Sequence, residues 1–324
     1  MRAGWQTVTN AASRVSIFAL AAFLFAAHSA AGQSLKLPAE AAEGLRLTYE
    51  GEPEAAVASL RRLQQEQPQH PLGYLLEANA AWWRIYSEAL EIKWNLIDAW
   101  KRGKRDEDDA FLALTRKSIQ LAEQHIARAD SAEMRLYAGM GYALEARLYA
   151  LRDEKRATAR AGVRARDHLL RAGDLDPNLA DALAGLGLYN YYVDTLSWAV
   201  RVLRFFMGIP GGDKQQGIRQ LEVAIAEGVL TRVEARFYLA KAMRNNQQNY
   251  QRAVELLEPL VEQYPRNAVF RLLLADNHAK LSHNAEAARH FREAIRLASS
   301  NGASAARIRQ IAQQALAALP GETK

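Results

Sequence analysis

The chain has 324 residues, 42 Lys+Arg against 36 Asp+Glu for a formal charge of +6, and no cysteine. The lack of cysteine excludes disulfides, and it excludes a lipid anchor on a cysteine behind an export signal. Basic and acidic residues are interspersed, with no long basic stripe interleaved with aromatics, so nucleic acid is not the expected partner.

In chain order, residues 1–32 come first. Arg2 and Arg14 precede the apolar run Val15–Ala27, and small residues close the segment at Ser29-Ala30-Ala31-Gly32. This is the layout of a cleaved secretory signal peptide, and the run is shorter than the roughly 20 residues a spanning helix needs. The expectation is an exported protein, periplasmic or secreted, whose mature chain carries 40 basic against 36 acidic residues, or +4.

From residue 37 onward a spacing recurs. Ala56, Leu60, Leu63 and Pro68 stand at offsets 0, 4, 7 and 12, as do Ala165, Leu169, Ala172 and Pro177, and Ala253, Leu257, Leu260 and Pro265. Gly217, Leu221, Ala224 and Ala287, Phe291, Ala294 repeat the first three places. Offsets 0, 4 and 7 share one helical face, a small residue lets helices approach closely, and the proline ends the unit. Preceding helices carry a partner pattern in Leu183, Leu186, Gly187 and Tyr191, in Phe237, Ala240 and Arg244, and in Leu274, Ala275 and His278. Ala253 to Ala287 spans 34 residues and Gly217 to Ala253 spans 36.

This pattern resembles the tetratricopeptide repeat, with its period near 34 residues and its W-x2-L-G-x2-Y, A-x3-F, P signature. The resemblance implies an all-α fold, a right-handed solenoid of helix–turn–helix units over 37–319. The expected units are 37–70, 71–131, 132–179, 180–230, 234–267 and 268–299, with a capping helix over 303–319. Ala165 to Gly217 exceeds one period by about 18 residues, placing an insertion at 193–212. Within 71–131 the stretch Leu72–Trp100 reads helical with little interruption, and Arg102–Asp109 reads as a charged connector. Arg152–Arg160 reads as a basic link, and no strand-period run is evident anywhere.

The insertion is the most individual segment. From Leu196 to Ile209 only Ser197, Arg201 and Arg204 are polar, and they form one stripe; Trp198, Phe205 and Phe206 are its largest side chains. A helix apolar on most of its surface usually packs inside. The other reading makes Trp198, Arg201, Arg204, Phe205 and Phe206 a docking helix for a partner or a membrane surface. The following Gly208–Lys214 lacks the G-x-x-x-x-G-K-[ST] spacing of a phosphate loop, and Asp213 is placed to cap the next helix. Trp82, Trp83, Trp94 and Trp100 cluster with Tyr74 and Tyr86, as core or as the lining of an apolar groove.

The run from Gly185 to Gly228 also looks like a hallmark of exported bacterial tetratricopeptide proteins of unassigned function. More weakly it is similar to a eukaryotic tetratricopeptide family that includes a mitochondrial outer-membrane protein. The generic family resemblance implies a concave groove formed by the first helix of each unit. Carried over, its partner-binding residues are Asp181, Leu188 and Tyr191, then Tyr238, Ala242 and Asn245, then Leu272 and Asp276. The Lys, Asn and Arg set of the family's two-carboxylate clamp is absent from those places. Catalysis finds little support. The histidines are scattered, with His278, His283 and His290 nearest one another, and no HExxH pair or nucleophile elbow occurs. Neither enzyme activity, cofactor nor metal is expected. The reading is a non-catalytic scaffold for a protein or peptide segment. The alternatives are a small apolar ligand beside a transporter, or peripheral membrane contact through 195–209.

Overall fold

Helix pairing follows the recurring offsets. A computed structural model describes residues 35–196, 209–299 and 302–320. The chain divides into Met1–Gln33 and a unit over Ser34–Lys324, and every element below belongs to the second. Helices α1 (Ala39–Glu50) and α2 (Pro53–Glu66) form the first antiparallel pair. Helices α3 (Leu72–Glu88) and α4 (Glu107–Arg128) flank strands β1 (Leu90–Lys93) and β2 (Leu96–Ala99). Next come α5 (Ala132–Leu151) with α6 (Lys155–Leu175), and α7 (Asp181–Asp194) with α8 (Lys214–Glu227). The last pairs are α9 (Arg232–Gln247) with α10 (Tyr250–Gln263) and α11 (Ala268–Lys280) with α12 (Asn284–Leu297). Helix α13 (Ala303–Ala317) closes the array.

The offset residues are the packing layer of the second helices. Ala56, Leu60, Leu63, Leu169, Ala172, Leu221, Ala224, Ala253, Leu257, Leu260, Ala287, Phe291 and Ala294 are each 2% exposed or less. The need for a small residue is clearest where α7 crosses α8. A Cβ on Gly187 would lie 2.8 Å from the Gly217 carbonyl oxygen, and one on Gly217 would lie 2.6 Å from the Gly187 carbonyl oxygen. Both distances are far inside van der Waals contact, so the two backbones touch there. Helix starts are fixed by side-chain caps: Asp213 accepts from the Gln216 amide at 2.8 Å, and Asn267 from the Phe270 amide at 2.9 Å.

Two expectations about local structure fail. Leu72–Trp100 is not one helix: α3 ends at Glu88, and β1 and β2 pair antiparallel, with Leu90 opposite Ala99 and Lys93 opposite Leu96. The turn residues Trp94 and Asn95 have φ of 48° and 59°, the left-handed pair of a two-residue hairpin. Four residues on each side, the second strand reading Leu-Ile-Asp-Ala without alternation, are too few to stand out against a helical background. Likewise Arg152–Arg160 is not a link, because α6 begins at Lys155. Arg152 is itself buried and binds the buried Asp108 carboxylate through two hydrogen bonds of 2.7 and 2.5 Å. The stretch read as a charged connector therefore holds an internal ion pair, since α4 begins at Glu107.

In a solenoid each unit ordinarily touches only its neighbours. Here the first units also reach the last ones. Trp83 of α3 packs edge-on against Phe237 of α9 at 4.7 Å and Phe270 of α11 at 5.6 Å. Tyr49 of α1 lies 5.6 Å from Tyr264, and its carbonyl accepts from the Asn267 side chain at 2.7 Å. On α13, Arg307 donates to the Leu90 carbonyl of β1 at 2.5 Å. The inner helices and the hairpin thus share one core.

Candidate functional site

The inner face divides into two adjoining polar centres. The first is a cage around the hairpin. The Asp98 carboxylate of β2 accepts from Lys241 at 2.8 Å, from Asn245 at 2.5 Å and from the Tyr86 hydroxyl at 2.8 Å. The Lys241 ammonium also lies 4.7 Å from the Tyr86 ring centroid. Beside it the Asp276 carboxylate accepts from Arg244 and from the Ile97 amide at 3.3 Å, with Lys280 at 3.7 Å. Burial pushes the Asp98 carboxyl up, but Lys241 and Arg244 outweigh it and hold the group below the usual carboxylate range. Burial and the Asp98 charge push the Tyr86 phenol well up, so it stays a donor.

The second centre is a narrow slot where α3, α5, α6, α7 and α9 meet. Its apolar walls include Leu75, Leu144, Leu169 and Leu188, and its polar groups are Asn79, Arg147, Asp181, Thr231 and Glu234. Arg147 donates to Glu234 at 2.7 Å and its guanidinium lies 4.6 Å from the Tyr238 ring centroid. Burial, countered by Arg147, pushes the Tyr238 phenol up to about 12. Three buried atoms in this group have no hydrogen-bond partner: Asn79 Oδ1, Arg147 Nη1 and Glu234 Oε1. The slot is about 20 Å³, room for a water-sized group that such orphaned atoms would hold.

Of the residues expected to line a groove, some fall in these centres, while Tyr191, Ala242 and Leu272 are fully buried in the core. Asp181 and Leu188 line the slot, but the Asp181 carboxylate is occupied structurally. It accepts from the Val229, Leu230 and Thr231 amides at 2.8–3.0 Å and from the Thr231 hydroxyl at 2.9 Å, fixing α7 to the start of α9. Tyr191 is fully buried and donates to the Ala242 carbonyl at 3.1 Å. Tyr238 is buried and accepts from the Trp82 indole at 2.9 Å. Asn245 and Asp276 belong to the cage. Trp198, Arg201, Arg204, Phe205 and Phe206 lie outside the described residues. Of the tryptophans, Trp82 and Trp83 are core at 5% and 6% exposure, whereas Trp94 at the hairpin tip is 83% exposed.

Reading the sequence misses Asp98, Lys241, Arg244, Arg147 and Glu234. A signal for some of them exists: Glu234, Tyr238, Lys241 and Asn245 stand at helical spacing, a polar stripe along α9 among buried Phe237, Leu239, Ala240 and Ala242. A Lys–Arg–Asn set does converge, at Lys241, Arg244 and Asn245, of which only Asn245 is a carried-over place. The carboxylate that Lys241 and Asn245 hold is the chain's own. Among the described residues no three His, Asp or Glu side chains are grouped to hold a metal ion.

Paired antiparallel helices with a small-residue contact at a period near 34 define an α-solenoid. Residues 234–267 match the tetratricopeptide repeat family model, and the described helices pair as those of such an α-solenoid do. Among solved structures, TTC0263, a thermophilic tetratricopeptide protein of Thermus thermophilus, aligns at 16% identity with a TM-score of 0.43. That alignment covers 74% of this chain and 96% of that one. MamA aligns at 16% identity and a TM-score of 0.39, covering 60% and 95%. The Cut9–Hcn1 hetero-tetramer of APC/C aligns at 14% identity and a TM-score of 0.42, covering 84% and 42%. No curated protein matches the sequence.

Proposed function

We propose that this protein is a non-catalytic scaffold, exported to the periplasm or secreted, that binds an extended protein or peptide segment. One observation carries the reading. Inner-helix side chains already hold an extended segment, with Asp276 taking the Ile97 amide and Lys241 and Asn245 taking the Asp98 carboxylate. That is the chemistry by which a helical groove grips a peptide: a backbone contact for affinity and a side-chain contact for specificity. The adjoining slot bordered by Leu188 offers a continuation along α7.

Photo-crosslinking in living cells tests it. A crosslinker replacing Leu188 should yield a discrete adduct with a partner polypeptide, and one replacing exposed Glu54 on α2 should not. Absence of an adduct from Leu188, or the same adduct from both, overturns the reading. Intact mass of the protein from a periplasmic fraction tests export: loss of residues 1–31 or 1–32 is expected, and an uncut cytoplasmic product would refute it.

A second reading, a small apolar ligand at the slot, requires the slot to open well beyond the about 20 Å³ it has here. Native mass spectrometry distinguishes it, because a bound small molecule would add a defined mass that Leu188→Trp removes. Membrane contact through 195–209 is tested by flotation with liposomes, which Trp198→Ala and Phe206→Ala should abolish.

A further inference from the structure

We propose that His278 and His283 bind a divalent ion of the zinc class where α11 turns into α12. The three histidines nearest one another in the sequence meet there. The Nδ1 atoms of His278 and His283 face each other at 3.4 Å. The His278 and His290 rings stack at 5.6 Å with their planes 5° apart. The place is separate from the slot, whose lining includes no histidine.

The backbone sets this approach. Helix α11 ends at Lys280, and the Leu281 and His283 amides both return to the His278 carbonyl, at 3.1 and 2.9 Å. Ser282 takes a φ of 61°, the left-handed residue that closes such a helix end. The His283 carbonyl then accepts from the Ala287 amide at 2.9 Å, where α12 starts. His278 is 7% exposed, with its ring in contact with both other histidines. His283 is exposed, so the pair opens to solvent on its side.

The distance selects the ligand. Zinc–imidazole bonds of about 2.0–2.1 Å at a tetrahedral angle place two nitrogens about 3.3–3.4 Å apart. A hydrogen bond between the rings would use the same two atoms, but their 3.4 Å separation lies beyond the roughly 2.7–3.2 Å of a well-formed bond. Two nitrogen ligands favour zinc, nickel or copper(II) over magnesium and calcium, which take oxygen. Glu286 and Arg289 act on His278 with opposite signs, so their fields oppose one another at the pair. Two imidazoles leave two tetrahedral positions for water or for a partner's side chain.

Tag-free protein, first stripped of metal with a chelator, is titrated with zinc chloride and separately with magnesium chloride by calorimetry. Zinc should bind saturably at one equivalent, and magnesium should not bind. His283→Gln should weaken zinc binding at least tenfold and leave the circular dichroism unchanged, because its ring is exposed. His125→Gln, on α4, should leave the affinity as it was. NMR reads the site in the unaltered chain, which matters should the His283 variant fold poorly. One equivalent of zinc should shift the His278 and His283 ring resonances together, ahead of the remaining histidines. Absence of saturable zinc binding, shifts confined to other histidines, binding indifferent to His283→Gln, or an equal loss in His125→Gln overturns the proposal.

Discussion

Around the hairpin, Asp98 and Asp276 meet Lys241, Arg244 and Lys280 inside the protein, each carboxylate gripped from more than one side. On the outside of the last pair, four arginines face an open concavity with one glutamate among them. Both places concentrate charge, and they differ in how it is resolved. Removing charges from water costs several kcal/mol each, and only near-complete pairing offsets that. The inner cage therefore needs each carboxylate paired, and its partners come from strands and helices far apart in the chain. The outer charges keep most of their hydration and are screened beyond about 8–10 Å, so their balance matters little to the fold. Inner charge fixes where the hairpin sits; outer charge stays with the solvent.

The sharpest way to break this contrast is to unbalance the cage. Asp276→Ala should lower stability by about 3–5 kcal/mol, since it strands the Arg244 guanidinium at 2% side-chain exposure. Urea denaturation measures it. The double variant Asp276→Leu with Arg244→Met should recover much of that loss, because a packed apolar pair needs no hydration. If the double variant is as unstable as the sum of the single changes, the two residues do not act as a pair.

Trp83→Ala probes the aromatic hub that the cage adjoins. Its ring meets Tyr49, Tyr86, Phe237 and Phe270, so truncation should cost about 3–5 kcal/mol through the cavity left behind. Hydrogen exchange adds the informative detail. Protection should fall in α1, α9 and α11 together, whereas an array stabilised only by neighbouring units would lose it in α3 and its neighbours alone.

What could be read in advance follows the range of the forces involved. The offsets 0, 4 and 7 located the second helices because helical periodicity is local and repeated several times over. Asp213 as a cap was legible for the same reason. The hairpin was not, because four residues per strand carry little signal and Trp94–Asn95 is not the Asn-Gly pair that usually marks such a turn. Asp181, Tyr238 and Asp276 fall on the first helices of their pairs, since the period sets them, but their partners were not foreseeable. Ile97 and Asp276 are 179 residues apart, and no local pattern reports that the first units fold back on the last. The 193–212 insertion shows up as an excess over the period, while its residues 197–208 lie outside the described structure.

Acid should act on the boundary between the two regions. His290, 6% exposed, faces Glu286 and Arg289 on its own helix and His278 and Arg271 on α11. Its folded value of about 4 lies below the ordinary 6.5, so the unfolded chain binds the extra proton first. The stability from neutral His290 is present above about pH 6.5 and is lost as pH falls toward 4, on the order of 2 kcal/mol. His278, also held low by burial and by His283, contributes in the same direction. Melting temperatures between pH 7.5 and 4.5 should decline, and His290→Gln should flatten part of that decline.

The smallest effect belongs to the outer arginines themselves. Arg289→Gln removes charge from an exposed face that the core does not use, and it should change stability by no more than about 0.5 kcal/mol. The sign is informative. Relief of like-charge repulsion predicts a slight gain at low salt that vanishes at high salt, as screening removes the repulsion. Denaturation at two ionic strengths measures it. A loss above about 1 kcal/mol, independent of salt, would mean that these side chains support the fold as the inner ones do, and the contrast between the two regions would fail.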